Sequence, residues 1–110
     1  MSSINFGTLF PKMLAAAQGP LKKQWPVVKD YVESEFKKIG ESILFIETQR
    51  ALGKMTDEQA RLHLKLQTLA SKNVLLAAEG LGYLAVEAAI NAALAVVKDA
   101  INTALKFPLI

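Results

Sequence analysis

The chain contains no cysteine, one histidine and one tryptophan in 110 residues. Without cysteine it has neither a disulfide framework nor a thiolate metal site, which excludes the small disulfide-rich secreted folds. The single histidine, His63, also excludes sites built from several imidazoles. Nothing in the composition requires an oxidising compartment, so we expect a cytoplasmic protein.

An excess of one charge sign is also lacking, because the formal net charge is only +3. The lysine pairs at 22–23 and 37–38 have Glu33, Glu35 and Glu41 among them. Mixed charges of this kind are typical of a solvated face rather than of a phosphate-binding patch. We therefore expect no nucleic-acid partner.

What the chain has in abundance is apolar side chains, with 52% hydrophobic and 21% charged residues. This composition excludes a disordered protein, and the length suits a single domain. We divide the chain into an N-terminal arm or short amphipathic helix (1–19), a helical hairpin or bundle domain (20–107) and an apolar C-terminal tail (108–110).

The N-terminal arm has only one charge, Lys12, and no secretory signal pattern. Its apolar residues form one stripe if Pro11 lies in the first turn of a short helix that ends before Gly19-Pro20. Such a helix would either cap a bundle or anchor the protein peripherally on a membrane surface. The candidate anchor residues are Phe6, Leu9, Phe10, Met13 and Leu14.

The first long helix is predicted to begin near Trp25, because Pro26 suits a first turn. Its apolar stripe consists of Val28, Val32, Phe36, Ile39, Ile43 and Ile46. A second apolar flank, formed by Val27, Tyr31, Phe45 and Leu52, indicates that this helix meets more than one neighbour. Glu35, at the edge of the stripe, is expected to reach water or pair with a lysine.

A clear turn follows this helix. Gly53 suits the left-handed conformation that ends a helix, and Thr56 with Gln59 has the spacing of a capping box. The sequence therefore predicts two antiparallel helices joined by a short loop.

The second helix of this hairpin meets no proline between Thr56 and Pro108, so it could extend for about 50 residues. A break at Glu79-Gly80-Leu81-Gly82 would instead give a three-helix bundle. The leucines and alanines on both sides of the glycines favour a continuous helix, kinked at most at Gly80-Gly82, because a loop there would expose them. The predicted fold is thus an all-α antiparallel hairpin that dimerises into a four-helix bundle.

The C-terminal part of this helix, Val74 to Leu105, carries only four charged side chains in 32 residues. One partner helix cannot cover so wide an apolar surface, so we predict a homodimer or higher oligomer, with a further protein partner as an option. The predicted interface is a ridge of small residues, the alanine ridge: Ala78, Ala85, Ala89, Ala92, Val96 and Ala100.

Three polar features carry smaller predictions. Asn73 lies on the stripe of Met55, Leu62, Leu66 and Leu69, where an amide either fixes the register of an apolar seam or sits at its edge. Gln59, His63 and Gln67 make a polar strip, which is typical of a helix flank or of a polar seam between subunits. The apolar tail, Phe107 to Ile110, should end the helix and dock on the bundle or on a partner.

No residues assemble into a catalytic, cofactor or metal site in the sequence pattern, so we expect no enzyme. Ser34, Ser42 and Ser71 have no base at helical spacing and are predicted to face solvent. We therefore interpret the protein as a non-enzymatic helical interaction or scaffold protein. The alternatives are a peripheral protein on a lipid or other hydrophobic surface, and a small ligand- or metal-binding bundle using His63, Glu47 and Glu79 around a dimer axis.

Overall fold

The computed structural model describes residues 4–78 and 80–110, and in these residues the protein is helical. This described part contains four α-helices: α1 (Phe6–Leu21), α2 (Trp25–Ala51), α3 (Asp57–Ala77) and α4 (Tyr83–Leu105). A short 3₁₀ helix, Lys22–Gln24, joins α1 to α2. The predicted all-α fold class is confirmed.

The helices contact one another in a closed ring. The most extensive contact joins α1 and α4; α1 also packs on α2, α2 on α3, and α3 more lightly on α4. The ring measures 43 × 24 × 18 Å along its principal axes. Since α1 covers α4, a single chain supplies four helices, and a second copy is not required to complete the ring. Dimerisation itself stays a prediction.

Helix α2 forms the longest wall of the core. All six residues of its predicted stripe are at most 1% exposed, from Val28 to Ile46. Full burial of each such side chain contributes about 1.5–3 kcal/mol, which fixes the rotation of α2 about its axis. The helix begins at Trp25 with Pro26 in its first turn, as predicted.

The turn between α2 and α3 also follows the sequence prediction. Gly53 has a φ of 70°, which suits glycine because it has no Cβ. The Gln59 N–H donates to Thr56 Oγ1 at 3.1 Å, and the Thr56 N–H donates to Gln59 Oε1 at 2.9 Å. This capping box starts α3 and satisfies two backbone donors that lack helical partners.

The predicted continuous second helix is wrong, because α3 ends at Ala77 and α4 begins at Tyr83. The backbone turns at Gly80, whose φ is 80°. The expected exposure of apolar groups is limited: Ala78 is buried and Leu81 half-buried, while Tyr83 and Leu84 are exposed. Turning lets α4 pack on α1, and that burial outweighs two exposed side chains. Glu79, also in the predicted break, lies outside the described residues.

Helix α1 is longer than the sequence indicated. It starts at Phe6, so Pro11 lies in its second turn, and it continues through Gly19 and Pro20 to Leu21. Both prolines remove a backbone donor, yet Leu9, Met13, Ala17 and Leu21 recur every four residues and are buried. That burial stabilises the helix despite the prolines. The first three residues of the predicted arm lie outside the described part.

Candidate interaction surface

The alanine ridge does not form one surface in the folded chain. Ala78 and Ala89 are buried in the core, Ala85 and Ala92 are half-buried, and Val96 and Ala100 are exposed. Four of its six members are therefore at least half-buried within the molecule. The small side chains allow close helix packing, but in this fold much of that packing is intramolecular.

The candidate anchor residues in α1 also lie largely against the core. Leu9 and Met13 are buried, while Phe6, Phe10 and Leu14 are half-buried and pack against the core. A Cβ at Gly40 of α2 would come within 3.3 Å of the Phe6 ring. Phe6 thus occupies a notch in α2 rather than pointing away from the protein.

The exposed apolar surface lies instead on the α2–α3 hairpin. Within the described residues, eleven large hydrophobic side chains are exposed. Eight of them belong to this hairpin, three to α4 and none to α1. We call the eight together the hairpin face. They are Val27, Tyr31, Phe45, Leu52, Leu62, Leu66, Leu69 and Val74.

Helix α3 has two apolar sides. One contributes Ala60, Leu64 and Leu75 to the core, each at most 5% exposed. On the other, Leu62, Leu66 and Leu69 are 55%, 57% and 50% exposed. At 100° per residue these leucines lie nearly opposite the core side. A helix that is apolar on both sides has one side without an intramolecular partner, which is a common feature of interaction helices.

Polar groups hold the inner side of α3 on α2. Ser42 Oγ donates to Gln67 Oε1 at 3.2 Å, and Gln67 Nε2 donates to Ser71 Oγ at 3.2 Å. Both serines are buried, so their predicted exposure is wrong, whereas Ser34 is exposed as predicted. A buried hydroxyl is costly without a partner. The pairing with Gln67 therefore selects which side of α3 faces α2.

An aromatic pair lies beside this polar seam, at the edge of the hairpin face. The rings of Phe45 and His63 stack with centroids 5.2 Å apart and an interplanar angle of 27°. They line a shallow groove of about 380 Å³ together with Lys38, Glu41, Ser42 and Gln67.

Glu35 is the most buried carboxylate among the described residues, at 3% exposure. Lys38 Nζ lies 2.9 Å from Glu35 Oε2, and the lysine side chain is 53% exposed. The sequence expectation that Glu35 pairs with a lysine is thus confirmed. The pair brings the carboxylate a counter-charge at the protein surface, so it does not need a catalytic explanation.

The C-terminal tail docks on its own bundle, where Phe107 and Leu109 are buried. Asn102 Oδ1 accepts from the backbone N–H groups of Leu109 and Ile110, each at 3.0 Å. Arg61 Nε donates to the Pro108 carbonyl at 3.0 Å. These contacts hold the tail against α4 and the start of α3.

A larger groove, of about 630 Å³, opens where α2 and α4 end. Arg50 is one of its lining residues; it pairs with Asp57, and its guanidinium group lies over the Phe107 ring at 3.7 Å from the centroid. The wall of the groove consists of Leu44, Glu47, Thr48, Arg50, Ala51, Leu52, Ala104 and Leu105. Five of these eight residues are apolar.

The described part of the chain places no group of three or more histidine, aspartate or glutamate side chains where they would hold a metal ion. Of the residues considered for a metal site, His63 stacks on Phe45, and Glu79 lies outside the described part. Across residues 4–78 and 80–110, no helix is both long and apolar enough to span a membrane.

No known protein family, curated protein or solved structure matches this chain. A functional surface therefore has to be inferred from the residues of the chain itself. The stripe of Leu62, Leu66 and Leu69 is visible in the sequence as one of two interpretations of Asn73, an apolar seam, whereas the predicted interface is the alanine ridge. The signal that could have identified this stripe is a second, smaller set of apolar residues on the opposite side of the same helix, Ala60, Leu64 and Leu75.

Proposed function

We propose that this protein is a non-enzymatic helical interaction protein that acts by self-association and partner binding. The observation that carries the proposal is that most of the exposed large apolar side chains lie on the α2–α3 hairpin, where they form the hairpin face. Scattered exposed hydrophobic residues are ordinary, but eight on one hairpin, with Leu62, Leu66 and Leu69 together on one side of α3, are typical of a protein interface.

The rest of the molecule supports this choice. Its core contains the stripe of α2 and the inner sides of α1 and α4, so the hairpin face adds nothing to that core. Val27, Tyr31 and Leu52 are between 53% and 67% exposed. This exposure lowers the solubility of the protein and adds nothing to the stability of its core. A partner that covers these side chains would remove their apolar surface from water and so gain binding free energy.

Sedimentation velocity of the full chain tests the proposal, with a double substitution, Leu62→Glu with Leu66→Glu, as the test variant. We expect the unaltered chain to form a discrete oligomer and the double variant to be monomeric with unchanged helicity. Leu84→Glu is the matched control, because Leu84 is 80% exposed but lies on α4. That control should still associate.

The same experiment with added liposomes addresses the alternative of a lipid or other hydrophobic surface. The proposal expects the oligomer to sediment independently of the vesicles. A monomer that cosediments with liposomes, and loses this binding in the Leu62→Glu, Leu66→Glu variant, would contradict the proposal and favour the alternative.

A further inference from the structure

We infer that the outer side of α3 binds the same helix of a second copy of this chain, in antiparallel orientation. This inference rests on the proposed function and adds the identity of the partner, the orientation and the register. It uses the spacing of the exposed side chains, the charges beside them and the position of the Phe45–His63 stack.

The outer side of α3 has the spacing of a coiled-coil seam. Its residues recur at alternating intervals of three and four, which is the pattern of positions a and d in a heptad. The central three, Leu62, Leu66 and Leu69, are half-exposed, and Gln59 and Asn73 at the two ends are exposed. The helix thus presents a narrow seam with leucines at the centre and amides at the ends, which suits one helical partner.

The charges next to the seam select the orientation. Glu58 lies in the first turn of α3, whereas Lys65 and Lys72 follow on the same flank. A parallel pair brings equal charges to the same end, while an antiparallel pair brings Glu58 beside the partner's Lys72. Opposite charges on the flanks of a seam favour the arrangement that joins them.

The two Glu58–Lys72 pairs between the copies also determine the register. When Glu58 lies beside the partner's Lys72, Leu62 packs against the partner's Leu66, and the twofold axis passes near residue 64. Asn73 then lies at the end of the seam, where its amide keeps access to water.

The two neighbouring antiparallel registers, each shifted by one heptad, are less favourable. A shift in one direction places Lys65 beside the partner's Lys72, where the two ammonium groups repel each other. A shift in the other direction packs Leu62 against the partner's Gln59, so the leucines lose apolar contact with each other. The central register also brings Lys65 beside the partner's Lys65 and Leu69 against the partner's Gln59. It nevertheless has one lysine pair where the first shift has two, and it keeps both Leu62–Leu66 contacts and the opposite charges at both ends of the seam.

The aromatic stack lies close to the same axis. His63 is adjacent to residue 64, and Phe45, which stacks on it, is 49% exposed. In the antiparallel pair the two Phe45–His63 stacks lie on the same flank of the seam, on opposite sides of the axis. Phe45 therefore extends the apolar contact from α3 to α2 and adds area that a single helix pair lacks.

Cross-linking of single-cysteine variants tests the orientation, because the natural chain has no cysteine to interfere. Lys65→Cys places the two thiols beside the axis, so a short bismaleimide should link the dimer. Asn73→Cys places them ~27 Å apart along the seam, beyond the reach of that reagent. Both variants should sediment as dimers. Linkage through Asn73→Cys, or failure of Lys65→Cys to link, would overturn the inference.

Charge exchange tests the register independently. Glu58→Lys and Lys72→Glu should each weaken the dimer by roughly three- to tenfold, since each creates two repulsive pairs. The combined variant should restore the original dissociation constant. Absence of this rescue overturns the register. A monomeric unaltered chain would overturn the proposed function as well, whereas a dimer with the wrong cross-links overturns only the inference.

Discussion

The guanidinium group of Arg50 lies over the ring of Phe107, with Cζ 3.7 Å from the ring centroid. Arg50 lies in the last turn of α2 and also pairs with Asp57 at the start of α3, so one side chain joins the hairpin to the C-terminal tail. Arg61 approaches the same ring at 5.5 Å. The tail is therefore part of the fold.

Replacing Arg50 should loosen this junction. We expect Arg50→Ala to lower the free energy of unfolding by about 1–2 kcal/mol, through loss of the cation–π contact and of the ion pair. Arg50→Lys should retain only part of this stabilisation, since the ammonium group lacks the planar face that stacks on a ring. Urea unfolding measures the stability of both Arg50 variants, and Lys54→Ala serves as a control at an exposed position. Equal stability of all variants would contradict the role of Arg50.

Asn102 should contribute through the backbone of the tail. Its side chain bonds the N–H groups of Leu109 and Ile110 and donates to the Ile110 carbonyl at 3.3 Å. We expect Asn102→Ala to cost about 1–3 kcal/mol, because these partly buried groups lose their partner. Hydrogen exchange at Leu109 and Ile110 should accelerate. Asn91→Ala, an exposed position of the same helix, should leave both measurements unchanged.

The two glycines between α3 and α4 should respond differently to alanine. Gly80 has a φ of 80°, so Gly80→Ala should destabilise the fold by about 1–2 kcal/mol. Gly82 is an extended helix N-cap, and a Cβ there would meet no heavy atom within 4 Å. Gly82→Ala should therefore cost less than Gly80→Ala. Thermal unfolding checks both, and stabilisation by Gly80→Ala would instead indicate a continuous helix.

Tyr83 should titrate at a higher pH than an unperturbed tyrosine. The hydrogen bond to Glu87 and the charge of that carboxylate raise the pKa of the Tyr83 phenol above 10.0. Since the folded pKa is the higher one, this contribution to stability is present below pH 10 and is lost as the pH rises through the folded pKa. In a Tyr31→Phe background, tyrosinate absorbance should titrate at lower pH after Glu87→Gln; an unchanged curve would contradict the interaction.

Local sequence signals predicted the local structure well. The capping box of Thr56 and Gln59, the left-handed Gly53 and the start of α2 near Trp25 each depend on residues only a few positions apart. The buried stripe of α2 was equally readable, because six large apolar side chains on one side of a helix have no stable alternative to the core. These features needed no knowledge of the neighbours.

The sequence could not show in the same way which apolar surfaces stay exposed. The wide apolar surface of α4 indicated an external partner, but α1 covers part of it after the chain turns at Gly80, where Val86, Ala89 and Ile90 are buried. The penalty of two glycines in a helix is only about 2 kcal/mol in total, which is too small to decide between a helix and a turn. The burial gained between α1 and α4 decided it.

By itself, the sequence determined that this protein is helical, where α2 begins, how α3 is capped and that more apolar surface exists than one hairpin can cover. Only the tertiary structure decided which apolar surfaces meet. Leu62, Leu66 and Leu69 are as hydrophobic as any core residue, yet Ser42 of α2 reaches its acceptor, Gln67 Oε1, only when the opposite side of α3 faces α2. The spacing of apolar residues shows that a helix has two apolar sides. Which side is buried also depends on the neighbouring helix, because that helix supplies the hydrogen-bond partners of the buried polar groups.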